Sequence, residues 1–238
     1  MSSRMVDDVE VYRVARGIVR GEGRIDPLFD DFVRGFADAF GVAPLALLSD
    51  HVDAGHGQVD PRLWVVIERA DDVRQFVRDE PIEKVIERHR MLTDLFALTV
   101  PTDDLASRFG LPKRQTWASS ASRLFVVVRD FESAAIEAAH RQVSAGAVDA
   151  FAAGLGLGEQ FSCTRRWEPW PPVVFVHTDA QAQALREAGE PQRWSQRYAD
   201  LVRGFDEFGY VRPEDVTIKV DSEETFQRDY QGSSYYYF

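Results

Sequence analysis

The chain has 238 residues, 45% of them hydrophobic and 28% charged. That composition excludes disordered, collagenous and coiled-coil architectures, and it can supply the core of one large domain or two small ones. Acidic residues outnumber basic ones 39 to 28, for a net charge of −11, so the surface repels phosphate backbones unless its positive charge is gathered in one patch, and it suits a basic partner.

No run approaches the roughly 18 uninterrupted apolar residues that a membrane helix needs. The opening residues, Met1 to Asp8, lack the apolar stretch of a secretory signal. Cys163 is the only cysteine and cannot close an internal disulfide. A cytoplasmic protein with no membrane association is expected.

Along the chain, Val9–Val14 is a first candidate edge strand. Asp26 then offers an N-cap, Pro27 a first helical residue and Gly41 a stop. Between them Leu28, Phe29, Phe32, Val33, Phe36 and Phe40 recur at helical spacing on one face. His51, Asp53, His56 and Asp60 then bring together the side-chain types a divalent metal uses. Their spacing matches no ligand set, and Gly55 and Gly57 mark a surface turn, so no metal is expected. Leu63–Ile67 predicts a strand, Pro81 to Ser122 an inserted helical stretch, and Leu124–Val128 a second strand. A helix over Ala147–Ala153 precedes Gly154-Leu155-Gly156-Leu157-Gly158. A phosphate-binding glycine loop follows a strand, so this one reads as a helix stop and no cofactor is expected. Val173–Val176 is the next strand. Trp194, Tyr198, Leu201, Val202, Phe205 and Phe208 line one face of a helix closed by Gly209, and Val216–Val220 is a fourth strand. Ser234–Phe238 closes the chain as a candidate edge strand.

Two patterns recur. An apolar strand, a short polar turn and an acidic helix start appear at 62–73 and 123–134, and more loosely at 172–181 and 215–224. Acids there meet the unpaired N–H groups and positive dipole end of a helix. Phe32-Val33-Arg34-Gly35-Phe36 is also echoed by Leu201-Val202-Arg203-Gly204-Phe205, and each echo is followed by a Val-x-Pro and a strand. A mixed sheet flanked by helices follows, an α/β fold (α+β as its variant) built partly from duplicated helix-strand-helix units. One domain over 1–238 is expected, with 1–122 and 123–238 as its halves.

The stretch from Thr102 to Arg123 has the rhythm of a helix-turn-helix, in which Lys113, Arg114, Gln115 and Thr116 would meet a DNA groove. Pro112 stands where the second helix should begin, and the acidity of the chain disfavours nucleic acid. An enzyme with an unrecognised site is the other alternative. Cys163 with His177, oriented by Asp179 or Glu168, has the residue types of a nucleophile and base, although helix capping and an inert cysteine account for the same residues. No catalytic residue is assigned. Arg165-Arg166-Trp167-Glu168-Pro169-Trp170-Pro171-Pro172 instead makes a stiff loop carrying two large aromatics, the type enriched at binding hot spots.

The tail from Asp221, an acid-rich helix start leading to Tyr230-x-Gly232 and a run of aromatics, resembles the ends of some bacterial immunity proteins, which neutralise polymorphic toxins. The resemblance covers about residues 215–238. It implies a non-catalytic inhibitor whose acids and aromatics occlude a basic toxin or effector domain. Trp167, Trp170, Asp221, Glu223, Glu224, Asp229 and Tyr235 are the candidate contacts.

Overall fold

A computed structural model describes residues 6–55, 58–76, 81–103, 105–167 and 170–237. They form an α/β fold in two compact units, Met1–Ser133 and Ala134–Phe238. Among the described residues, no helix is long and apolar enough to cross a membrane.

In the first unit, α1 (Asp8–Val19) starts where the Asp7 carboxylate accepts the Glu10 N–H. α2 (Asp30–Phe40) follows a single 3-10 turn capped by Asp26, and it stops at Gly41, whose φ of 73° favours glycine. β1 (Ala46–Gly55) and β2 (Gln58–Ile67) pair antiparallel. Then come α3 (Ala70–Val73), α4 (Ile82–Thr99), α5 (Leu105–Arg108) and α6 (Trp117–Ser120). β3 (Phe125–Asp130) returns parallel to β2, and α7 (Phe131–Gln142) follows. Buried residues Leu63 to Ile67 of β2 cover both sheet faces, as a continuous apolar strand must. Phe96 sits at the centre of the core, within 6.2 Å between ring centroids of Phe29, Phe32, Phe109 and Trp117. Its truncation to alanine would cost about 3–5 kcal/mol.

The second unit holds the rest of α7, α8 (Ala145–Ala153), β4 (Phe161–Arg165), β5 (Val173–Val176), α9 (Asp179–Glu187), α10 (Glu190–Arg203), β6 (Lys219–Ser222), α11 (Glu223–Tyr230) and α12 (Ser234–Tyr237). β4 is antiparallel to β5, and β6 parallel to it. Trp194, Tyr198 and Val202 of α10 pack with Val174 and Val176 on one side of the sheet, while Phe175 and Phe226 pack on the other.

The duplication therefore takes the form of two sheets with one plan, orders β1-β2-β3 and β4-β5-β6. Trp64 pairs with Val127 as Val173 pairs with Lys219, and Ile67 with Asp130 as Val176 with Ser222. The ends match too. Glu132, the second residue of α7, accepts the N–H of Ala70, the first residue of α3. Glu224 in α11 does the same for Asp179 in α9.

Five expectations are corrected. The four apolar strands divide between two sheets, because β1, whose Ala46-Leu47-Leu48 start runs straight into Ser49-Asp50-His51, and the mixed β4 complete each trio. The 51–55 segment belongs to β1 rather than a loop; His56 and Gly57 lie outside the described residues. Val9–Val14 is part of α1, fixed by the Asp7 cap, and Ser234–Tyr237 is helical. The echoed helices occupy different places, α2 before its hairpin and α10 inside the crossover between β5 and β6, so that echo is shared amphipathicity and the strand-to-helix echo carries the repeat.

Candidate functional site

β6 is an edge strand of the second unit, and three contiguous concavities surround it. The largest, about 670 Å³, is lined by Val173, Arg186, Gln192, Lys219, Tyr230 and Tyr237 among others. A second, about 480 Å³, shares Pro191, Gln192 and Ile218 with it and extends toward Pro213. A third, about 360 Å³, lies between Trp167, Trp170, Asp215, Thr217 and Lys219.

Two adjacent arginines fix the tryptophan loop in the same unit. Arg166 spans it: Nε donates to the Trp170 carbonyl (3.1 Å), Nη1 to that of Val143 (2.9 Å) and Nη2 to that of His140. A guanidinium on the last carbonyls of α7 is favoured by the helix dipole. Arg165 lies over the rings of Phe226 (4.0 Å) and Phe175 (4.5 Å) and pairs with Glu223 at 2.9 Å. Pro171 and Pro172 then set the backbone angles leading into β5. Trp167 is 51% exposed and Trp170 59%, and Tyr235, 80% exposed, stands on α12.

The four acids named as contacts are all engaged inside the unit. Asp221 accepts the Tyr237 hydroxyl (2.8 Å) and the Ser222 N–H, with Arg186 at 3.7 Å. Burial and this carboxylate push the Tyr237 phenol well above its ordinary range. Glu223 holds Arg165, Glu224 caps α9, and Asp229 pairs with Arg228. Arg228 also reaches Asp179, whose carboxylate is held far below the ordinary range by that guanidinium and then by the Ser222 and Thr225 hydroxyls.

Cys163 is not arranged as a nucleophile. Burial and donation to Glu223 (3.2 Å) push its thiol up, against the pull of Arg165, whereas an attacking sulfur needs the thiolate. It lies opposite Phe175 in the sheet. Among the described residues no hydrogen bond joins it to His177, which is exposed beyond β5. Asp179 is spent on the two helix starts, and Glu168 lies outside the described residues.

In the first unit, the helix expected to carry Lys113 to Thr116 is a turn, followed by the four residues of α6. The Gln115 amide brackets the Val59 backbone at 3.1 and 3.0 Å, Thr116 caps α6, and Trp117 stacks on Phe109 at 5.1 Å. Lys113 and Arg114 are exposed there, without a recognition helix to carry them. His51 Nδ1 is bonded to the Phe109 carbonyl (2.9 Å), Asp53 turns back on Gly55, and Asp60 pairs with Arg123. Among the described residues no three such side chains gather to hold a metal.

Lys219, Arg186 and Gln192 are the parts that sequence reasoning missed, and Arg166 was singled out with its loop but not as the clamp that fixes it. Lys219 alone had a signal: it is one of only three lysines and it interrupts an apolar strand. No protein-family model matches the chain, and comparison with curated proteins and with solved structures finds no significant match either.

Proposed function

We propose that this is a non-catalytic cytoplasmic binding protein of the immunity or inhibitor type, which neutralises a basic toxin or effector domain by covering it. The observation that carries the reading is the pair of half-exposed indoles, Trp167 and Trp170, held by the three Arg166 hydrogen bonds and two prolines. Burying two indoles on such a loop spends little conformational entropy, and tryptophan anchors dominate many interfaces. The net charge of −11 supplies long-range attraction for a basic partner. The four acids of 221–229 support the site from within, so in this reading charge steers the encounter and the tryptophans hold the complex.

The test is co-purification of the tagged protein from its source cells with high-salt washing, beside the Trp167→Ala/Trp170→Ala double variant. One stoichiometric basic domain, retained by the native protein and lost from the variant, is expected. Retention by both, or recovery of DNA instead, overturns the reading.

A further inference from the structure

We infer that the trench beside β6 receives an extended, acid-bearing segment of a protein partner. This rests on the binding reading above and adds where the partner lies and what it must present.

Shape comes first. The two joined concavities follow the chain from Pro213 to Asp221 along one side of β6. Val216 to Ile218, which lead into β6, and the first three residues of β6 can together span at most roughly 20 Å, which is the outline of an extended peptide and far longer than a compact metabolite needs.

Polarity comes second. Asp221, the only acid lining the larger cavity, already accepts from Tyr237 and Ser222 and faces Arg186. What remains there is the Lys219 ammonium, which makes no ion pair among the described residues, the Gln192 amide, which can donate or accept, and Arg186, already shared between Asp221 and the Val220 carbonyl, while the second cavity adds the Glu214 carboxylate at its far end. In a chain of net charge −11, the Lys219 end of this concavity, with Tyr230 and Tyr237 beside it and Asp221 already facing Arg186, fits a carboxylate carried on a peptide. Backbone strand addition is disfavoured, because Ser195 Oγ takes the Ile218 N–H (2.8 Å) and Arg186 takes the Val220 carbonyl (2.8 Å). The segment is therefore read by its side chains, with its acid at Lys219 and its apolar residues against Tyr230, Tyr237 and the neighbouring tryptophans.

A random-peptide library displayed on phage, panned against the full chain and against Lys219→Glu in parallel, tests this. The native chain is expected to enrich peptides with Asp or Glu at one fixed position. The best of them, measured by fluorescence polarisation, should lose at least about tenfold in affinity for Lys219→Glu and nearly as much for Lys219→Met. Both variants alter an exposed side chain and should melt with the native protein. Enrichment without acids, affinity indifferent to both variants, or displacement of the peptide by equimolar AMP overturns the inference, the last in favour of a nucleotide. A basic domain that co-purifies equally with native chain and Lys219→Glu removes the trench but leaves the binding reading intact. Acidic peptides without any such domain do the reverse.

Discussion

His140 converts burial into a pH dependence whose sign and size can be worked out. Its side chain lies in α7, 6% exposed, stacked on Tyr198 with ring centroids 5.9 Å apart, and Nδ1 has no hydrogen-bond partner among the described residues. Burial, and then the Arg166 guanidinium, hold its pKa down at about 4. In the unfolded chain the imidazole returns to about 6.5. Between these values the unfolded state binds more protons, so the stability this group permits is complete above about pH 6.5 and is lost as pH falls toward 4. The gap of about 2.5 units, at about 1.36 kcal/mol per unit, sets the loss at about 3 kcal/mol. His140→Phe keeps a flat apolar ring and removes the titration. Urea unfolding of both proteins from neutral pH down to pH 4, followed by hydrogen exchange at Val173–Val176 so that the second unit is read separately, should give curves that coincide near neutrality. At the acid end the native protein should be weaker by about 3 kcal/mol. Parallel curves across the range would refute the assignment, because carboxylates common to both proteins cancel in the difference.

Arg166→Ala strips three carbonyls of their donor and should destabilise the second unit by about 2–4 kcal/mol, with a red shift in indole emission. Arg166→Lys, which lacks the planar fork, should recover only part of this. Arg166→Ala, which removes the charge, should also narrow the His140 pH window, since Arg166 is the second cause of that depressed pKa. The equivalent caps should differ by burial: Glu132→Ala, in a buried site, costs about 1–2 kcal/mol by chemical denaturation, and Glu224→Ala, at the surface, less than about 1. Ser195→Ala leaves the buried Ile218 N–H without its acceptor, costing about 1–3 kcal/mol and speeding exchange at that amide.

The apolar strands and the 27–41 helix were legible because their signal is local: side-chain period, an N-cap, a glycine stop. The helical insert between 81 and 122 followed from the same cues, although its apparent second helix failed when Gln115 found the Val59 backbone, a contact between residues 56 apart in sequence. β1 and β4 were missed because Ser49, Asp50 and His51, or Ser162, Cys163 and Thr164, read as loop until a neighbouring strand gives them a ladder. The terminal tyrosines alternate like a strand, yet the Ser233 carbonyl, accepting the N–H groups of Tyr236 and Tyr237, draws them into a helical turn. At the candidate site, sequence picked out the tryptophans by type. It could not foresee that the nearby acids would be consumed internally, since Glu223 meets Arg165 and Asp221 meets Tyr237 only in three dimensions.

That internal use of acids bears on where recognition can occur. Open α/β sheets usually bind ligands outside the carboxyl ends of their strands, where helix N–H groups stand free. In both units the chain fills that place with its own carboxylates. Glu132 accepts from Ala70 beside Arg69, and Glu224 accepts from Asp179 while Asp179 gathers Ser222, Thr225 and Arg228. A ligand phosphate or carboxylate arriving there would have to displace a bonded acid of the same sign, already placed at no cost in translational freedom. With those ends closed, Lys219 and Gln192 on the flank of β6 still present hydrogen-bonding groups, and Trp167 and Trp170 still present half-exposed apolar surface beside them. A scaffold that satisfies its own helix starts in this way is poorly suited to capturing small anions at them.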